Sequence, residues 1–261
     1  MNRRVAPALQ PAYLLHAHDW SESSAILDLF TREQGRVVVA AKGAKRPYSQ
    51  LRAVLLPFAR LNVSYGARRG AGEGASEVLP LKAAEWAGGP APPGGAAVMT
   101  GFYLNELLMR LLARHDPHPA LFDAYALTLP ALGSGDELHV GAALRAFELL
   151  LLRETGLLPA LDRVTLTQQP LAGAAHALRP ETGLAPVAAG EPGLAAADWQ
   201  ALQAALDADD LAALQRACVA PQAELRALLR ALLHYHLAAP MLRTRQVMID
   251  LQNLQASTRS R

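Results

Sequence analysis

Residues 35–52 read Gly-Arg-Val-Val-Val-Ala-Ala-Lys-Gly-Ala-Lys-Arg-Pro-Tyr-Ser-Gln-Leu-Arg. Val37, Val39 and Ala41 alternate with Arg36, Val38, Ala40 and Lys42. Successive strand residues point to opposite faces, so one face is apolar and the other carries a cation at each end. Gly43 permits a tight exit from the strand and Pro47 fixes the next turn. The expected product is a half-buried strand feeding a stiff basic loop with one aromatic, Tyr48. Two readings are open for it. One is a nucleic-acid groove, with cations for phosphates and a ring for base stacking. The other is an ordinary solvated edge strand.

Working outward, nine Lys or Arg residues fall between Arg32 and Arg69 (Arg32, Arg36, Lys42, Lys45, Arg46, Arg52, Arg60, Arg68, Arg69) against one acid, Glu33. The whole chain of 261 residues has a formal charge of only +2, so the local excess is the informative feature. Such an excess is the footprint of a polyanion site. Cys218 is the single cysteine, so no intramolecular disulfide is possible, which fits a reducing compartment. The N-terminal residues lack an apolar core of the secretory type, and Glu106, Arg110 and Arg153 interrupt the longest apolar runs. The expectation is a cytoplasmic protein with no membrane span.

Around the basic stretch the pattern predicts further strands at 12–18, 24–31, 60–65 and 76–84. Residues 51–58 are a short packing segment, and 67–75 a Gly-rich loop carrying Arg68 and Arg69. Five short strands in about eighty residues suggest a closed or partly closed β-barrel. Gly88–Gly95 can continue neither helix nor strand. Beyond it the period turns helical. Helices are expected at 98–113, 117–132, 137–155 (stopped by Gly156), 195–206, 209–218, 221–237 and 242–254. Between them, His176–Leu178 and Leu184–Val187 flank a turn and predict a small hairpin. The fold class is α+β, with domains at 1–85 and 97–261 and a linker at 86–96.

No catalytic chemistry emerges. Gly43-Ala44-Lys45 lacks the spacing of a phosphate-binding loop. One cysteine excludes a multi-cysteine zinc site, and no histidine shows ligand spacing with carboxylates. His234 and His236 read as packing or surface residues, and Cys218, Phe102 and Tyr103 as core. No metal and no cofactor are expected.

The chain carries in order Trp20-Ser21-Glu22-Ser23-Ser24, Leu27-Asp28-Leu29-Phe30-Thr31, Gly35-Arg36-Val37 and Ala41-Lys42-Gly43-Ala44-Lys45-Arg46. This order of segments closely resembles the RecO family of bacterial recombination and repair mediators. The likeness continues in Leu56-Pro57-Phe58, Tyr103-Leu104-Asn105-Glu106-Leu107-Leu108, Leu144-Arg145-Ala146-Phe147-Glu148-Leu149, Leu161-Asp162-Arg163 and Leu242-Arg243-Thr244-Arg245-Gln246. It therefore covers nearly the whole chain. It implies a five-stranded OB-fold followed by a mainly α-helical domain. It also implies binding of single- and double-stranded DNA, annealing of complementary strands, and a complex with RecR. Contact with the C-terminal tail of single-stranded-DNA-binding protein, and help in loading RecA onto coated strands at the nucleoid, complete the implication. Many members carry two cysteine pairs after the Leu-Asp-Arg motif. Here Val164 follows Arg163 and no cysteine precedes Cys218, so 157–193 is expected as a metal-free remnant of a zinc-binding insert.

The physical account built on these residues assigns phosphate neutralisation to Arg36, Lys42, Lys45, Arg46, Arg52, Arg68 and Arg69, with little sequence preference. Tyr48 is the first choice of stacking ring, with Tyr65 and Trp20 as substitutes. An annealing mediator needs no covalent chemistry, so no enzyme site is expected. An acidic tail would dock in an apolar groove between the 98–113 and 221–237 helices, rimmed by Arg110, Arg145, Arg226 or Arg230. The rival reading is a protein-interaction module whose basic barrel face does not bind DNA.

Overall fold

A computed structural model describes residues 9–66, 77–173, 175–188, 190–237 and 242–259, with side chains as far as 251. Its first elements are strands β1 (Gln10–Asp19), β2 (Ala25–Thr31) and β3 (Gly35–Ala41), a short helix α1 (Gln50–Val54), and strands β4 (Arg60–Tyr65) and β5 (Val78–Trp86). The five strands close into a barrel in the order β1-β2-β3-β5-β4. Antiparallel pairing joins β1 to β2, β2 to β3, β4 to β5 and β1 to β4, whereas β3 and β5 run parallel. Arg68 and Arg69 lie outside the described residues, as does most of the Gly-rich loop.

Alternation fills the barrel. Ala12, Leu14, Leu27, Leu29, Val37, Val39, Leu61 and Val63 point inward and are buried together. Gly35 closes the β2–β3 hairpin at φ +64, and a Cβ there would stand 1.8 Å from the Asp116 carbonyl oxygen. Only glycine lets the chain pass so close in that conformation.

The half-buried strand expected at 35–42 is a correction. Val38 and Ala40 are buried as well, at 3% and 7% exposure. The reason is tertiary: the outward face of this part of the barrel is covered. The chain continues through residues without helix or strand at 87–96 into α2 (Ala97–Leu111) and α3 (Pro119–Leu132). Tyr13 of β1 and Phe30 of β2 pack on Phe122 and Tyr125 of α3, with ring centroids 4.9–6.4 Å apart. A bulge between Leu14 and His16 disturbs the β1 ladder. Asn105 of α2 answers it, its Nδ2 donating to the Leu15 carbonyl at 2.9 Å, while Tyr125 Oη donates to Asn105 Oδ1 at 2.5 Å. A carbonyl freed by a bulge and buried needs such a partner.

The chain forms two compact units that adjoin in sequence at Pro130/Ala131. The first unit is the barrel with α2 and nearly all of α3. The second unit holds α4 (Glu137–Glu154), the hairpin β6 (His176–Arg179) and β7 (Gly183–Pro186), and helices α5 (Ala196–Asp207), α6 (Leu211–Ala217), α7 (Gln222–Leu237) and α8 (Arg243–Arg259). Asp136 caps α4 by accepting from the Leu138 and His139 amides, and Gly156 at φ +71 ends it. Trp199 of α5, fully buried, donates from Nε1 to the His176 carbonyl at 3.0 Å and so ties the hairpin to the helices. Among the described residues no helix is long and apolar enough to cross a membrane.

Candidate nucleic-acid interface

Two loops of the first unit are laced together at one end of the barrel. In the β1–β2 turn, the Trp20 and Ser21 amides both donate to the Ser24 carbonyl, at 3.3 and 3.2 Å, and the Ser24 amide donates to Ser21 Oγ at 3.2 Å. In the loop after β3, Gly43 adopts φ +73, and Ala44 drops back into the barrel core at 5% exposure. The loops then bond to each other. The Gly43 amide donates to Ser24 Oγ at 3.3 Å and the Lys45 amide to the Ser23 carbonyl at 3.1 Å. Lys45 Nζ donates to the Ser21 carbonyl at 3.1 Å and stands 2.9 Å from the Asp19 carboxylate.

Between the loops lies a cleft of about 280 Å³. Trp20, Ser21, Ser23 and Ser24 form one wall, and Lys42, Gly43 and Arg46 the other. The Arg46 side chain runs along Gly43, its Cδ 3.6 Å from where a Cβ would be. Trp20 is 56% exposed. Lys42, Arg46 and, on α1, Arg52 face solvent, and no carboxylate among the described residues pairs with them. A cleft with two unneutralised cations, hydroxyls and an exposed ring suits an anionic, partly aromatic ligand.

The other expected residues are placed differently. Arg36, at the far end of β3, is turned inward with its side chain 14% exposed. Its Nη1 donates to the Met109 and Leu112 carbonyls at the end of α2, the latter at 3.1 Å, and its Nε stands 3.4 Å from buried Asp28. Burial pulls its pKa below the ordinary arginine value, Asp28 opposing that shift and Arg114 adding to it. Arg36 therefore holds the helix end to the barrel, and the phosphate role expected of it is corrected on that ground. Tyr48 is fully exposed and not among the residues lining the cleft. Tyr65 is buried, its hydroxyl donating to Gln34 Oε1 at 3.1 Å, so it is no stacking ring. Arg32, from the same basic excess, pairs with both Asp123 oxygens at 3.0 and 2.8 Å.

The residues expected to serve an acidic tail are spread over both units. α2 belongs to the first unit and α7 to the second. Leu225, Leu228, Leu229, Leu232 and Leu233 of α7 are buried within their own unit, where α7 packs on α4 and β6. Arg145 is buried on α4, with Nη2 2.7 Å from Glu148 Oε1. Arg110 pairs with Glu106 at 2.9 Å. Arg226 and Arg230 are exposed on α7. Cys218 is buried as expected, and burial raises its thiol pKa to about 12, Arg145 opposing and Glu148 adding to that shift.

Comparison with known proteins matches the chain in two parts, on either side of residues 76–94. The family model for the N-terminal part of recombination protein O matches residues 6–75, and that for its C-terminal part residues 95–246. The chain belongs to the RecO family. Members similar to it include the DNA repair protein RecO of Variovorax paradoxus (strain S110), 53% identical over 258 residues, covering 94% of this chain and 96% of that one. That of Delftia acidovorans (strain DSM 14801 / SPH-1) is 53% identical over 250 residues, with the same coverage. That of Paracidovorax citrulli (strain AAC00-1) is 54% identical over 264 residues, covering 97% and 99%. RecO membership makes this a DNA repair and recombination family protein, and its barrel followed by helices agrees with the OB-fold and helical domain of that family. The sequence ranks Trp20 below Tyr48 as a stacking ring, whereas in the structure Trp20 lines the cleft. Its position beside Ser21–Ser24, in the turn facing the basic loop, was the one signal available.

Proposed function

We propose that this RecO-family protein binds single- and double-stranded DNA through the cleft and the cations beside it, and anneals complementary strands. In this reading Lys42 and Arg46 are the principal phosphate contacts and Arg52 extends the track, with Arg68 and Arg69 as further phosphate contacts. Cations on the barrel screen the repulsion between two strands until base pairing takes over, and counterion release drives binding. The observation that carries the reading is the pairing of two cations without carboxylate partners on one wall of a polar cleft.

The same reading includes help in loading RecA onto strands coated by single-stranded-DNA-binding protein, together with RecR, in the bacterial cytoplasm at the nucleoid. Family membership supports it. Arg226 and Arg230 are the arginines of the second unit offered to the acidic tail of the coating protein. The segment 157–193 is taken as the metal-free remnant of a zinc-binding insert. Its hairpin is braced by Arg179, whose Nε stands 2.9 Å from Glu191. No catalytic step is assigned to the protein.

The test is fluorescence anisotropy of labelled single-stranded DNA across a salt series. Binding should weaken steeply with salt. Changing Lys42 and Arg46 together to Ala should reduce the log–log salt slope by about 1.4, two single-strand phosphates at about 0.7 each. An unchanged affinity and slope would overturn the reading and leave an interaction module whose cations serve solubility.

A further inference from the structure

Trp20 differs from an ordinary surface aromatic in three ways. It stands at the lip of a polar cleft rather than over a core, it is more than half exposed, and its turn is pinned on both sides. From within, the Ser24 carbonyl holds the Trp20 and Ser21 amides. From across the cleft, Lys45 grips the Ser21 carbonyl and the Asp19 carboxylate, on either side of Trp20. An exposed indole on a braced turn presents a fixed apolar face to solvent, at a low ordering cost for whatever stacks on it. The cleft, about 280 Å³, is at the small end of ligand sites, which begin at roughly 300 Å³.

We propose that this cleft is a one-nucleotide subsite for an unpaired DNA strand, in which the Trp20 ring stacks the base, Lys42 and Arg46 take the adjoining phosphates, and Lys45 positions the Trp20 turn. The inference rests on the DNA-binding reading above and deepens it. Inside a duplex each base is covered on both faces by its neighbours, so away from the ends a ring can stack only on a base that has left the helix. Phosphates are available in both forms. The cations therefore serve either form, and Trp20 distinguishes them. Lys45 is set apart from the other basic residues of its loop because its ammonium is already bonded within the protein, and it acts through the turn it holds.

The experiment compares three labelled probes of equal length: a thymidine strand, a strand of abasic sites with the same phosphates, and a blunt duplex. The wild type should bind the thymidine strand roughly tenfold or more tightly than the abasic strand, the gain from stacking a base on an aromatic ring. Trp20→Ala should abolish that preference while leaving the salt slope unchanged, and Trp20→Phe should restore most of it. Lys45→Ala should erode the preference without removing a phosphate's share of the slope. A fall in slope of about 0.7 would make Lys45 a phosphate contact and overturn its positioning role. A second readout does not depend on the folding of a Trp20 variant. In a Trp86→Phe protein the remaining tryptophans are Trp20 and buried Trp199. Quenching of that fluorescence by the thymidine strand, and not by the abasic strand, supports the subsite. If all three probes bind with steep salt dependence but neither preference nor quenching appears, the subsite is overturned and the DNA reading stands. If no probe binds at low salt, both fall together.

Discussion

Arg36 and Lys42 bracket the same strand, and their sequence surroundings are alike: a valine–alanine run between them and a glycine beside each. In the folded molecule they have opposite fates. Arg36 faces the end of α2, donates to the Met109 and Leu112 carbonyls and lies against Asp28. Lys42 lines a cleft together with Arg46 and meets no carboxylate among the described residues. A helix C-terminus offers unsatisfied carbonyls and the negative end of the macrodipole, so a cation brought there is held. At the other end of the strand no such group arrives, and the charge stays available. A basic residue thus becomes a brace or a binding group according to what the rest of the chain delivers to it. The second unit repeats the contrast, with Arg145 buried against Glu148 while Arg226 and Arg230 stand in solvent.

That contrast can be broken by experiment. The largest effect is expected at Arg145. Its change to Ala removes the guanidinium from beside a carboxylate that is 1% exposed, which should cost about 3–5 kcal/mol in denaturant unfolding. Arg36→Ala follows, with a loss of about 3 kcal/mol because Asp28 and the α2 carbonyls lose their donor. Its DNA affinity, measured where the variant is folded, should match the wild type. A stable Arg36→Ala protein with weakened DNA binding would reverse the roles assigned to the two ends of β3. The Lys42 and Arg46 double change should move stability by no more than about 0.5 kcal/mol, since neither side chain is tied into the fold. The smallest effect belongs to Tyr48→Ala. This ring is fully exposed, and both thermal midpoint and DNA affinity should stay as they are. A clear loss of affinity there would move the stacking ring from Trp20 to Tyr48.

Much of the architecture was legible beforehand because its causes are local. Gly35 and Gly43 mark both ends of β3, where φ is positive. Gly156 ends α4 where the helical period stops, and the hairpin at 176–186 follows from its turn residues. Alternation placed the strands to within two residues. The unit boundary at Pro130/Ala131 leaves no such local mark. A Pro/Gly stretch looks like a linker wherever it occurs, yet Asn105 and Tyr125, beyond it, bond back to the β1 bulge. The candidate site was half legible. The cations of its loop stood out as a cluster, but their separation into Lys42 and Arg46 on one side and Lys45 on the other depends on the Ser21 carbonyl reaching across from another loop.

By itself, then, the sequence determined most of the secondary structure, the five-strand barrel, the helical remainder and the basic character of one segment, since these depend on propensity, period and turn chemistry within a few residues. Tertiary structure alone decided that the outer face of β3 is covered, that Arg36 is a brace, that α2 and α3 belong with the barrel, and that Trp20 rather than Tyr48 stands at the cleft. Each of those outcomes depends on a group brought from a distant part of the chain, and pairing between such distant groups leaves no mark in local spacing.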